Sequence, residues 1–283
     1  MKVYKHPSYS YVTVAEVRNE EIKRVNFDIC KQPSETLENY YNRQSVKPAV
    51  LINCGFFNMS NGASVGTLAI DGKTIVESST LRNGIGIIPE NDTKLAYGKF
   101  EDRVWTDFVN GYPVLIENGA ACKITYATDL NYKARRTVLG FNDKAVYIVC
   151  VDSPGMNFAE LQKVCLGLGM KYAINLDGGG STRMLVNGVR KTSQTANRAV
   201  DNVFAIYTES AELEVDRFVK STRNVNIRSG PGASYKLNGG IIIGTKIHIV
   251  AEANGPAGSA PLWGKLCDGR GWIPIGSGYT TDL

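Results

Sequence analysis

A chain of 283 residues with net charge +5, 43 % apolar and 21 % charged, has enough core material for two domains that fold without metal or disulfide staples. No run reaches the roughly 20 apolar residues of a membrane helix, and the N-terminal residues lack the roughly 7–15-residue apolar stretch of a secretory leader. Only two histidines occur, His6 and His248, neither beside a nucleophile or a second ligand, which excludes serine-triad, papain-like and most zinc-amidase chemistry.

Along the chain, residues 11–17 (YVTVAEV) and 22–29 (IKRVNFDI) alternate apolar and polar positions, which predicts an antiparallel hairpin. Residues 34–44 predict a short helix capped by Ser34. AVLINCGFF (49–57) reads as a buried strand entering a glycine turn, and further strands to about residue 126 are punctuated by turns at 71–73 and 117–119. AVYIVCV (145–151), FAELQKVCLGLG (158–169) and YAINL (172–176) read as strand, helix and strand, with Leu161, Val164, Cys165 and Leu168 on one helical face. Over roughly 30 residues that order predicts a βαβ unit with two parallel strands, and so a mixed α/β domain.

Six cysteines (Cys30, Cys54, Cys122, Cys150, Cys165, Cys267) show no ligand spacing and read as free thiols. The polar, acidic stretch 208–217 marks a boundary between domains at 1–212 and 217–283. From Arg217 onward eight Lys/Arg face three Asp/Glu, while residues 1–216 balance, so the whole positive excess lies in the tail. That split suits docking on a polyanion, or serves solubility alone.

Asp152 and Asp177 each follow one of the two apolar strands. Parallel neighbours would bring both carboxylates to the C-terminal edge of the sheet, where open α/β sheets bind ligands. At that edge they would stand roughly 5–9 Å apart, a range that covers the acid, base and nucleophile roles of glycosyl transfer. Asp152 has an alternative role as a cap of the turn Ser153-Pro154-Gly155. Asp177 opens NLDGGGST (175–182), and the consecutive Gly178, Gly179 and Gly180 before Ser181 suit backbone that approaches an anion closely. No G-K-[ST] follows, so this is not a P-loop.

These residues resemble the phosphodiester glycosidase family, whose signature is similar to NLDGGGST. INCGFFN (52–58) resembles the family's N-x-G-F-F segment, with Cys54 at a position more usually Ala or Gly. NGYPVLIENG (110–119) is similar to its G-x-P-x-L segment, ARRTVLGF (134–141) to its Arg-Thr-x-x-Gly element, and NRAVDNVFAIY (197–207) to its closing Arg-x-V strand. The resemblance implies cleavage of a sugar-1-phosphodiester at the glycosidic C1–O bond. It implies Asp177 and Asp152 as catalytic carboxylates, and Asn53, Gly55, Arg136, Thr137, Gly178, Gly179, Gly180, Ser181 and Arg198 as substrate contacts. A monoanionic diester suits two arginines and a glycine nest. The family includes members that bind calcium, so the resemblance leaves a divalent cation such as calcium open as a cofactor, although no EF-hand-like ligand cluster appears and no metal ligand is assigned.

Residues 217–283 resemble a bacterial Src homology 3 domain through Asn226-Ile227-Arg228-Ser229-Gly230-Pro231, the Gly244-Thr245 turn and Gly271-Trp272. This implies a small all-β barrel that binds cell wall, with Trp263, Trp272 and Tyr279 lining a groove, or with Trp272 in the core. The combined expectation is an enzyme acting on a sugar-phosphate envelope polymer at the bacterial wall or outside the cell. Its tail would dock on peptidoglycan or teichoic acid, with no nucleic-acid partner and no membrane span. The expected source is a phage or a Gram-positive bacterium, and the lack of an apolar leader fits a phage-encoded protein released by lysis or carried on the virion, and equally a sequence trimmed at its start. The rival reading is a non-catalytic envelope-binding protein, which would have no need of two strand-end acids.

Overall fold

Strands dominate the computed structural model (52 % strand and 10 % helix), and they form four antiparallel sheets. All residues are described except 33, 45, 90, 125–130, 194–196, 209–212, 234, 256–259 and 261, together with the side chains of 213, 214 and 254. The chain divides into two compact units, Met1–Arg43 with Pro48–Thr208, and Gln44–Lys47 with Glu209–Leu283. Part of the boundary stretch 208–217 lies outside the described residues.

The first unit holds three sheets. One has the order β1 (Lys2–His6), β2 (Tyr9–Arg18), β13 (Ala145–Met156), β12 (Ala134–Phe141), β14 (Tyr172–Asn175), β10 (Val114–Glu117), β11 (Ala120–Ala121). A second runs β16 (Val189–Arg190), β15 (Met184–Val186), β4 (Val50–Asn53), β17 (Asn202–Thr208), β3 (Ile22–Ile29). The third runs β6 (Lys73–Val76), β5 (Leu68–Ile70), β9 (Asp107–Asn110), β7 (Asn83–Ile88), β8 (Asn91–Lys99). Ala15, Phe27, Ile52, Ile85, Leu139 and Ile174 share one buried cluster, so the main core lies among all three sheets.

This arrangement overturns the expected α/β fold. Helix α2 (Phe158–Gly167) does connect β13 to β14, but β12 lies between them and pairs antiparallel with each. Strand order is a non-local property, and the periodicity of each strand carries no record of which partner it takes. The expected hairpin of 11–17 with 22–29 also fails. β2 pairs with β1 and β13, β3 pairs with β17, and the 3₁₀ turn Asn19–Glu21 passes the chain from one sheet to another.

Local chemistry explains the elements themselves. Asn157 caps α2, its side chain accepting from the Glu160 N–H at 2.9 Å while Glu160 accepts from the Asn157 N–H at 3.0 Å, a capping box. Phe158, Leu161, Val164 and Cys165 form its buried face. The other helix, α1 (Leu37–Arg43), starts later than expected, and Thr36 rather than Ser34 accepts the capping bond, from Asn39 N–H at 3.2 Å. At 71–72 and 118–119 an Asp-Gly and an Asn-Gly pair take positive φ, the geometry that tight hairpin turns demand.

The second unit is one seven-stranded sheet: β20 (Leu237–Ile241), β19 (Val225–Arg228), β23 (Trp272–Ile275), β22 (Leu262–Leu266), β21 (Lys246–Asn254), β18 (Leu213–Ser221), β24 (Thr280–Asp282). Among the described residues no pairing joins β20 to β24, so the expected small barrel does not close. All six cysteines are free. Among the described residues no helix is long and apolar enough to cross a membrane.

Candidate active site

The site grows from Asn53, fully buried at the end of β4. Its Oδ1 accepts from the Thr137 hydroxyl and from the Arg183 N–H, each at 3.0 Å, and its Nδ2 donates to the Asp177 carbonyl at 2.7 Å. The Asp177 N–H in turn donates to the Cys54 carbonyl at 3.0 Å. One amide side chain thus joins β4, β12 and the segment after β14, and Asp177 is fixed through its main chain. That carboxyl accepts from the Gly178 N–H at 2.9 Å. Burial pushes its pKa up, against the opposing pull of the Ser181 hydroxyl beside it, the Gly178 N–H and the Arg198 charge. The Ser181 hydroxyl itself is buried without a well-formed hydrogen bond among the described residues.

The three glycines after Asp177 differ in what surrounds them. A Cβ on Gly178 would stand 2.6 Å from the Arg135 carbonyl oxygen, and one on Gly180 would stand 2.5 Å from the Arg198 guanidinium carbon. Gly179, between them, is exposed with φ +58°. Arg198 makes no hydrogen bond or ion pair among the described residues, and it borders a cavity of about 190 Å³ with Phe57, Met59 and Ser60. Gly55 donates to Asn202 Oδ1 at 2.5 Å and is packed between Asn202 and Val109, where an added Cβ would stand 3.1 and 3.0 Å from them, tighter than ordinary contact. Asn202 donates to Asp201, whose carboxylate also accepts from Ser64 and Gln32, so the loop beside Arg198 is tied to β17.

Two expected site residues lie elsewhere. Both Asp152 oxygens accept from the Ser193 N–H, at 2.9 and 3.0 Å, and Lys5 stands 4.0 Å away. Its strand is separated from that of Asp177 by β12, two strand spacings or about 10 Å, and the buried carboxylate serves to hold the 191–193 segment. Arg136 faces away from Asn53. Adjacent residues on a strand point to opposite faces, and with Thr137 turned to Asn53, Arg136 packs over Phe158 at 4.4 Å and donates to the Met156 and Tyr132 carbonyls at 3.2 and 2.7 Å. Sequence reading passed over Asn53's joining role and Arg135's proximity to Gly178, although the alternation around Thr137 was there to be used. Among the described residues no group of three His, Cys, Asp or Glu could hold a metal.

In the second unit, Trp263 and Trp272 are buried together with Ala251, Ala253 and Ala260. Tyr279 is half-buried beneath Arg223, whose guanidinium lies 5.6 Å from the ring centre. A groove of about 700 Å³ runs past Arg223, Arg228, Asn226, Tyr279 and one side of Trp263.

Asp177, the 178–180 turn and Arg198 thus lie together, the guanidinium against Gly180 and near enough to the carboxyl to oppose the upward push of burial. The chain belongs to the phosphodiester glycosidase family, whose model matches residues 47–207. Over 177 residues it is 27 % identical to N-acetylglucosamine-1-phosphodiester alpha-N-acetylglucosaminidase from Bos taurus, and equally to that from Homo sapiens. Those matches cover 54 % of this chain, and the chain spans about a third of the length of these curated relatives (33 % and 34 %). The solved catalytic domain of the zebrafish enzyme of that name superposes with a TM-score of 0.57 at 21 % identity, over 74 % of this chain and 81 % of that one. A hypothetical protein from Synechocystis superposes with a TM-score of 0.59 at 13 % identity, over 74 % of this chain and 64 % of that one. At such identities the likeness of structure shows the fold.

Proposed function

We propose that the chain hydrolyses a sugar-1-phosphodiester at the C1–O bond and releases a free sugar and a phosphomonoester. The observation that carries this reading is the Asp177 carboxyl, fixed through its own main chain beside Arg198 and the 178–180 turn. Asp152 is engaged with Ser193, so of the two expected carboxylates Asp177 remains for the chemistry. One suffices for this substrate class. The departing phosphomonoester has a second pKa near 6, so it leaves at neutral pH without a proton donor, and stabilising its new charge matters more. In this mechanism a water attacks C1, ionised Asp177 takes its proton, and the electron pair of the broken C1–O bond stays on the phosphate oxygen next to Arg198 and the turn's N–H groups.

The substrate in this reading is carried by a bacterial envelope polymer such as a teichoic acid or capsule, at the wall or outside the cell. Its support is the excess positive charge after Arg217 and the arginine-bordered groove of the second unit, which suit an anionic polymer. The resemblance of 217–283 to wall-docking modules points the same way. The test is incubation with purified envelope polymers, assaying reducing sugar and phosphomonoester together. Release of both in equal amounts is expected, and release of neither contradicts the reading.

A further inference from the structure

We infer that Arg135, and not its neighbour Arg136, is the second arm of a phosphate clamp whose first arm is Arg198, the two guanidinium groups closing on the substrate phosphate across the 178–180 turn. This rests on the reading of Asp177 and that turn as the site of phosphodiester cleavage.

The assignment follows from strand geometry. On β12 the Thr137 side chain reaches Asn53 and Leu139 lies in the core among the sheets, while Arg136 packs on Phe158 at the opposite face. A period of two puts Arg135 on the Thr137 face, the side from which Asp177 is held. The two arginines then flank the turn from different sheets. The backbone of Arg135, on β12, sits against Gly178, and the guanidinium of Arg198, just before β17, sits against Gly180. A side chain at Gly178 would collide with the Arg135 backbone, and one at Gly180 would push the Arg198 guanidinium from its place beside the turn.

Among the described residues these donors also lack protein partners. The Arg135 Nε is buried with no hydrogen-bond partner among the described residues, in contrast to Arg136, whose guanidinium donates to two carbonyls. A buried guanidinium donor left unpaired costs free energy. A phosphate oxygen removes that cost, because the planar fork of arginine matches phosphate in two-point geometry. One arm would hold the diester charge in the ground state, and both would meet the second charge that forms as C1–O breaks.

The experiment uses the full chain with inorganic phosphate as the probe, measured by calorimetry, alongside kcat and KM on the methyl phosphodiester of α-N-acetylglucosamine 1-phosphate. Arg135→Ala is expected to weaken phosphate binding by about 10- to 100-fold, since one charge-assisted bond is worth roughly 1.5–3 kcal/mol. KM should rise and kcat should fall, with the melting temperature held. Arg135→Lys keeps charge and stem and should recover part of the affinity. Wild-type phosphate affinity in Arg135→Ala overturns the assignment. If that variant loses its cooperative melt, Arg135→Lys decides, and unchanged affinity there overturns it equally. A wild-type chain that neither binds phosphate nor cleaves the diester removes the underlying reading and the clamp with it.

Discussion

The Asn53 side chain donates to the Asp177 main-chain carbonyl at 2.7 Å, from a position where its own Oδ1 accepts two further bonds. Placement of the proposed catalytic residue and core stability therefore meet in one buried amide. Asn53→Leu leaves the Thr137 hydroxyl, the Arg183 N–H and the Asp177 carbonyl without this partner. At roughly 1–3 kcal/mol for each buried group left unsatisfied, the first unit should lose several kcal/mol. Thermal melting checks this, and a drop of less than a few degrees contradicts the joining role. Thr137→Val, which removes a single bond, should cost about 1 kcal/mol.

Asp177→Asn separates chemistry from stability. Removing a general base costs about 10²–10⁴ in rate. The folded-state pKa of Asp177 is raised, so the folded chain binds this proton more tightly than the unfolded chain does. Its contribution to stability is fully present below the unfolded carboxylate pKa of about 4 and is lost as pH rises through the folded value. The variant should therefore melt higher than wild type near neutral pH, and the gap should close in acid. A wild-type chain that melts higher throughout contradicts this. In the wild type, the acid limb of kcat/KM should be displaced upward from the ordinary carboxylate range, because ionised Asp177 is the active form.

Arg136→Ala should act on folding and leave the chemistry intact. Its guanidinium is buried over Phe158 and ties the Met156 and Tyr132 carbonyls, so its removal should cost about 2–4 kcal/mol. Phosphate affinity of the surviving folded protein should be unchanged. A stable variant with weakened phosphate binding would place Arg136 in the site instead.

In the second unit the tryptophans and Tyr279 should behave differently. Trp263→Ala or Trp272→Ala empties a core cluster and should cost about 3–5 kcal/mol, read as loss of that unit's melting transition. Tyr279→Ala combined with Arg223→Ala should preserve most of the fold and weaken pull-down on purified walls, more so with added salt. Wall binding indifferent to these two residues and to salt contradicts the role proposed for the groove.

What the sequence disclosed was local. The apolar runs at 145–151 and 172–176, the helix between them and the glycines after Asp177 were legible because periodicity and glycine chemistry act within a few residues. Strand partnership was not, because the insertion of β12 between β13 and β14 is decided by packing among distant segments. The same non-locality separated Asp152 from Asp177, since the supposed parallel neighbours were never adjacent. Arg136 and Thr137 were paired by resemblance, yet adjacent strand residues diverge, and that alternation was available in the sequence. Trp272 was open between groove and core, and only the burial of its ring on Ala251 and Ala253 decides for the core.

The central claim, cleavage of C1–O with the phosphate as leaving group, is tested most directly by turnover of a sugar-1-phosphodiester in water enriched in heavy oxygen, followed by mass analysis of both products. Attack at C1 puts the label in the free sugar and leaves the phosphomonoester unlabelled. Label in the phosphomonoester would mean attack at phosphorus, and Asp177, Arg198 and the 178–180 turn would then serve a different reaction.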